Sequence, residues 1–195
     1  MTTPRRRGRP GHDQDAVLTA AVRLFNEHGY DATSMFDIAE SLGITKSSVY
    51  HHISGKEQLL QMAMDRALDG LFEAAAEVRA LDLPALDRLQ LLIRRSVLVL
   101  DELFPFVTVL LRVRGNTDVE QHALARRREL DALVTELVKQ AQAEGGVRPD
   151  VDPATAARLL LGMVNSLTEW YRPRPASAET LADTVTAIAF EGLRV

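Results

Sequence analysis

"GITKSSVYHH", residues 43–52, is the stretch whose reading decides the fold. It holds a Gly, a Thr, a Lys, two Ser, a Tyr and two His. That is too polar for a core segment and too poor in acids for an ordinary solvated face. It also lacks the ligand spacing of a metal site. His51 and His52 are adjacent and cannot share one helical face, and the chain has no Cys to add thiolates. The residues just upstream, "TSMFDIAESLG" (33–43), read as a short helix. Ser34 and Asp37 form a capping-box pattern, and Ile38, Ala39 and Leu42 point inward. Gly43 closes that helix, where a left-handed backbone is easy only for glycine. Thr45 caps the next helix, which runs to about His52 with Val49 inward.

Two short helices joined by "SLGIT" (41–45) match a helix-turn-helix. In such a motif the second helix enters the DNA major groove, and its first residues meet base edges. Thr45, Ser47 and Ser48 can donate to phosphate or base edges. Lys46 reaches a guanine edge or a phosphate. Tyr50 and His51 can hydrogen-bond phosphate and fix register.

Length and composition agree with this reading. The chain has 195 residues, net charge -4 and no Cys. It is long enough for one or two domains with a sizeable core. Disulfides and thiolate metal sites are excluded, and no apolar run of membrane-spanning length occurs. The N-terminus, "MTTPRRRGRPGHDQD", has no apolar segment behind its arginines and so is no secretory signal. A soluble, cytoplasmic protein is expected, with no cofactor. Residues 1–56 carry seven Lys/Arg against six Asp/Glu, and the remainder sixteen against twenty-one. A basic end on an acidic chain directs that end to a polyanion. Arg5, Arg6, Arg7 and Arg9 are candidate minor-groove contacts; a solvated tail is the alternative.

Apolar spacing is helical nearly throughout. Helices are expected over about 13–28, 34–43, 45–52, 54–80, 85–100, 104–113, 117–144, 152–171 and 178–193. The fold class is all-α. A flexible basic arm (1–12) precedes a three-helix DNA-binding domain (13–56) and a larger six-helix domain (57–195) for ligand binding and dimerisation. Pro105 is expected to break or kink its helix, and Ser54 with Glu57 to form a second capping box. No P-loop, G-x-S-x-G or G-x-G-x-x-G motif occurs, so no enzyme is expected.

"LFNEHGYDATSMFDIAESLGITKSSVYHHISGKEQLL" resembles the DNA-binding domain of TetR-type transcriptional regulators, over about Val17 to Leu60. The Gly-Tyr turn, the Thr/Ser cap, Ile-Ala, the Leu-Gly turn and Tyr-x-His followed by Lys-Glu fall in order. The resemblance implies a homodimeric repressor released from operator DNA by a small molecule. It places phosphate contacts on Thr33 or Ser34, Tyr50, His51 and Lys56, and base contacts on Thr45, Lys46, Ser47 and Ser48. Two positions depart from the pattern. Phe36 stands where a polar residue is common, and Ile53 where Phe is common.

In the larger domain, the helix from Pro153 to Tyr171 is apolar almost all round, unlike the surface helix of a monomer. With the last helix it is expected to build a four-helix dimer interface, through Leu160, Val164, Leu167, Tyr171, Val185, Ile188 and Ala189. Such a twofold dimer presents two reading helices about 34–36 Å apart. Ser96, Phe104, Phe106, Arg112, Arg126, Met163, Asn165 and Trp170 are candidate ligand-binding residues, with Leu133 and Leu137 among further apolar walls. "EWYRP" followed by "ETLADTV" is similar to the C-terminal segment of TetR-type regulators that respond to acyl-CoA thioesters. That similarity implies such an effector, with a hydrophobic drug-like or signalling molecule as the competing class; an effector-free architectural DNA-binding protein is the further alternative, against which the long apolar C-terminal lobe argues.

Overall fold

The computed structural model describes residues 14–51, 53–174 and 176–191. Arg5, Arg6, Arg7 and Arg9, the expected minor-groove contacts, lie outside the described residues, as does His52. Among the described residues nine helices and no strands occur. They are α1 (Gln14–His28), α2 (Met35–Ser41), α3 (Lys46–Tyr50), α4 (Lys56–Arg79) and α5 (Ala85–Glu102). α6 (Phe104–Arg112), α7 (Asp118–Ala143), α8 (Pro153–Trp170) and α9 (Ala178–Glu191) complete the chain. The chain divides into two compact units, Met1–Met62 and Ala63–Val195, with the division inside α4.

In the first unit α1 buries Val17, Ala21, Val22, Leu24 and Phe25, spaced at three and four residues. α2 packs on both α1 and α3. Ser34 and Asp37 form the expected capping box at the start of α2. Hydrogen bonds from the Ser34 N–H and hydroxyl hold the Asp37 carboxyl below its usual range. Gly43 supplies the turn with φ +65, a conformation that costs other L-residues about 1–2 kcal/mol. Val49 and Ile53 are buried, so Ile53 fills a core position. Phe25 and Tyr30 meet edge to face at 5.2 Å between centroids.

The second unit is organised around α5, which contacts α6, α7, α8 and α9. Its buried positions 85, 89, 92, 93, 96, 97 and 100 form one continuous stripe. Arg94 on α5 holds α9 through Asp183 at 2.8 Å and through Glu179. The loop before α7 closes on the buried Glu120 carboxylate. It accepts the backbone N–H groups of Arg114, Gly115 and Asn116 at 3.0, 2.7 and 2.9 Å. Three charge-assisted bonds fix that turn.

Three local expectations are corrected. Ser54 pairs with Gln58, whose Oε1 accepts from the Ser54 N–H at 2.6 Å and hydroxyl at 2.8 Å, in place of Glu57. Pro105 starts α6 rather than breaking it, because its missing N–H lies among donors that are unpaired in any first turn. α3 ends at Tyr50, earlier than His52, with His51 as its C-cap.

Candidate nucleic-acid interface and effector cavity

α3 is only five residues long, and its two sides differ sharply. Val49 is fully buried, while Thr45, Lys46, Ser47, Tyr50 and His51 are exposed and Ser48 is half-buried. Helical spacing puts Lys46, Ser47, Tyr50 and His51 on one outward strip. That strip carries a cation and no acid. The Lys46 ammonium lies 5.8 Å from the Tyr50 ring centroid, which draws the two tips together. At the N-terminus the Thr45 hydroxyl accepts the Ser48 N–H at 3.3 Å and lies 2.9 Å from both Ser47 and Ser48 hydroxyls. Three hydroxyls and a cation thus gather at a helix start, a setting that favours an anion and polar base edges.

Three of the expected phosphate contacts are occupied elsewhere. Thr33 is 2% exposed. Its hydroxyl donates to the Gly29 carbonyl at 2.8 Å and serves the α1–α2 turn, so it is not a DNA contact. Ser34 is exposed, but its hydroxyl donates to Asp37 at 2.8 Å and accepts the Asp37 N–H. A phosphate would have to displace an ionised carboxylate to reach that proton. Lys56 donates to the Tyr30 carbonyl at 2.7 Å and sits 4.2 Å over the Tyr30 ring. Its ammonium ties the start of α4 to the turn after α1. Phe36 is 61% exposed, so it does not pack on α1.

The expected ligand residues of the second unit do not converge. Ser96 is buried and donates its proton to the Leu92 carbonyl at 2.8 Å, so it acts as a core hydroxyl with no donor left for a ligand. Arg126 is clamped by Asp65 at 2.8 Å and Asp69 at 2.6 Å, and lies over the Phe72 ring. It is a strut between α4 and α7. Phe106 is buried beneath the Arg66 guanidinium, 4.8 Å from its ring. Phe104 packs on Tyr171, with ring centroids 6.2 Å apart. Arg112 and Trp170 are exposed, while Met163 and Asn165 are half-buried. Burial pulls the neighbouring Arg127 guanidinium down from its ordinary pKa.

A cavity of about 410 Å³ opens instead between α4, α5 and α7. Phe72, Val78, Leu92, Leu133 and Leu137 supply apolar wall, and Ala75 and Ala76 leave the room. Arg79, Arg88, Glu136 and Gln140 are its polar lining. The volume is within the usual range for small-molecule sites. Leu133 and Leu137 are walls foreseen from the sequence; Arg88, Gln140 and the α4 residues are not. The pair Ala75-Ala76 is the readable signal, since small side chains between Phe72 and Arg79 leave space that neighbours do not fill.

The surface of α8 and α9 also differs from expectation. Leu160, Val164 and Leu167 are buried in the chain's own core. Val185 is buried too. So is Tyr171, whose hydroxyl donates to Asp101 and lies 2.8 Å from Ser177. None of these is available to a partner. Ala189 is half-buried, and Ile188 alone of the expected set is open, at 64% exposure. The outward strip of α8 runs through Leu159 (65%), Gly162, Ser166 and Trp170 (62%), one residue out of step with Leu160. It carries no charge along its centre. Among the described residues no helix is long and apolar enough to cross a membrane.

Comparison with known proteins assigns this architecture. Residues 17–63 match the profile of bacterial regulatory proteins, tetR family, and residues 82–193 that of the tetracyclin repressor-like C-terminal domain. The HTH-type transcriptional repressor KstR2 of Mycolicibacterium smegmatis is 27% identical, covering 94% of this chain and 92% of its own. SCO3833, a TetR-family member from Streptomyces coelicolor, is 46% identical over 100% of this chain and 96% of its own, with a TM-score of 0.84. AibR, solved with isovaleryl coenzyme A and operator DNA, is 30% identical over 91% of this chain and 97% of its own, with a TM-score of 0.77. The chain thus belongs to the TetR family, as a helix-turn-helix transcriptional repressor.

Proposed function

We propose that two copies of this chain hold operator DNA in the cytoplasm through paired α3 helices and release it when an acyl-CoA effector enters the α4–α5–α7 cavity. The observation that carries the DNA step is the division of α3. Val49 anchors the helix, while Lys46, Ser47 and Tyr50 face outward without an acid among them. Lys46 and Ser47, with Thr45 and Ser48, read base edges; Tyr50 and His51 fix register on phosphate. Residues 13–56 form the DNA-binding domain and 57–195 the effector and dimer domain. The basic arm, 1–12, adds nonspecific attraction.

Dimerisation uses the uncharged strip Leu159–Gly162–Ser166–Trp170 with Ile188. An exposed apolar strip of that length marks an interaction surface, and twofold pairing supplies two reading helices. Release is a population shift: the effector favours a spacing of those helices that no longer fits successive major grooves. The acyl-CoA reading is supported by the AibR complex and by the "EWYRP…ETLADTV" similarity. A drug-like hydrophobic effector is the second reading, favoured by the largely apolar cavity wall.

Enrichment of random duplexes by the full chain tests the DNA step. Lys46→Ala should weaken the enriched site by about 1–3 kcal/mol and relax base preference. Tyr50→Phe should weaken all sites alike by about 0.5–1.5 kcal/mol. If both variants bind as the wild type does, α3 is not the reading helix.

A further inference from the structure

The cavity's polar lining has an asymmetry that its apolar wall does not explain. Arg79 lies in the last turn of α4 and Arg88 in the first turn of α5, separated by the short connection 80–84. Both line the cavity, and both belong to the helix ends that the short connection joins. Arg88 is half satisfied. One terminal nitrogen donates to Gln140 Oε1 at 3.2 Å, while its Nε, shielded from solvent, has no hydrogen-bond partner. A buried donor left unpaired is costly, and more so on a charged group. Arg79 makes no ion pair among the described residues. The acid on this lining, Glu136, has Lys139 at 3.4 Å as its counter-ion. The rest of the wall is aliphatic or aromatic: Phe72, Leu92, Leu133 and Leu137.

We infer that the effector carries an anionic oxygen group received by Arg88 and Arg79, with its apolar acyl body lying against Leu92, Leu133, Leu137 and Phe72. The inference rests on the effector cavity proposed above and specifies the chemistry of its ligand. A guanidinium offers its Nε and terminal nitrogens as a fork to a carboxylate or phosphate. The Nε of Arg88, buried and without a partner, is the donor such a fork gains once the side chain turns toward the anion. The volume, about 410 Å³, holds roughly a dozen water-sized groups. It therefore takes an acyl body and its adjoining anion, and a coenzyme A moiety would extend outside. The anion is then a carboxylate borne by the acid itself, because the thioester group is neutral and its phosphates lie a pantetheine arm away, outside a cavity of about 410 Å³.

Direct binding tests this. Aliphatic and alicyclic acids of about eight to twelve non-hydrogen atoms, the size the volume allows, are titrated calorimetrically into the full chain without DNA. Each is compared with its coenzyme A thioester and its neutral carboxamide. At least one acid should bind about tenfold or more tighter than its carboxamide, the fold expected of a charge-assisted bond. A tighter acid assigns the carboxylate; a thioester tighter than its acid places the anion outside this cavity and overturns the inference. Arg88→Gln should abolish the preference while leaving carboxamide binding alone. Leu137→Trp should remove all three by filling the cavity. Melting curves without ligand establish that both variants are folded; if Arg88→Gln is not, Arg79→Gln should weaken the preference in its place. Equal binding of acid, thioester and carboxamide, an undiminished preference in the Arg variants, or no binding by any form overturns the inference. Anion-selective binding that leaves the DNA complex intact would instead refute release, and with it only the effector step of the proposed function.

Discussion

Truncating Leu159 to Ala should split the dimer while truncating its neighbour Leu160 should not do so selectively. Leu159 is 65% exposed in the single chain and Leu160 is 3% exposed. Complete burial of a leucine is worth about 1.5–3 kcal/mol, so closing the exposed share of Leu159 contributes about 1–2 kcal/mol per protomer. A twofold interface buries it twice, for about 2–4 kcal/mol per dimer. At 1.4 kcal/mol per decade the dimer Kd should rise from about thirtyfold to several hundredfold. Leu160→Ala instead opens a cavity inside the chain and should cost about 2–5 kcal/mol of folding stability. Fluorescence-detected sedimentation velocity over a dilution series reads the first effect. Circular-dichroism melts read the second. A dimer Kd for Leu159→Ala within threefold of wild type, with its fold intact, would refute the assignment of this strip to the interface.

Further expectations concern the first unit and the helix caps. Gly43→Ala places a Cβ at φ +65 with nothing within 4 Å of it, so backbone strain alone should lower stability by about 1–2 kcal/mol in chemical denaturation. Thr33→Val should cost about 0.5–1.5 kcal/mol for the lost bond to Gly29, with DNA affinity per folded molecule unchanged. A selective loss of DNA binding would restore Thr33 as a contact. Asp37 and Asp152 cap α2 and α8, and hydrogen bonds from Ser34 and Thr155 hold their carboxyls below the ordinary 3.8. A depressed folded pKa stabilises above the unfolded value and loses that contribution as pH falls through the folded one. Melting temperature should therefore drop below about pH 4. Asp152→Asn should remove part of that drop, and an unaltered acid limb would show that the cap does not contribute.

The features legible in the sequence are those set by neighbours along the chain. Ser34 with Asp37, Thr45 before Lys46, and Asp152 before Pro153 each announce a helix start within three or four residues. The inward positions Val49 and Ile38 follow from the same short spacing. What was misread depends on direction or on distance. α8 is apolar nearly all round, so its composition does not say whether Leu159 or Leu160 faces outward. Thr33 and Ser34 are adjacent hydroxyls; which one turns into the α1–α2 corner is decided by the backbone. The anchors of the cavity come from far apart, with Arg88 and Gln140 separated by 52 positions. No local pattern brings them together, and only the packing of α5 against α7 does.

Methylation interference on the enriched duplex tests the central claim most directly, by reporting which guanine edges the protein must approach. The account predicts two blocked major-groove patches centred one helical turn apart, or a multiple of it, both relieved in Lys46→Ala. Interference confined to one patch, spread evenly along the duplex, or unchanged in Lys46→Ala would contradict it.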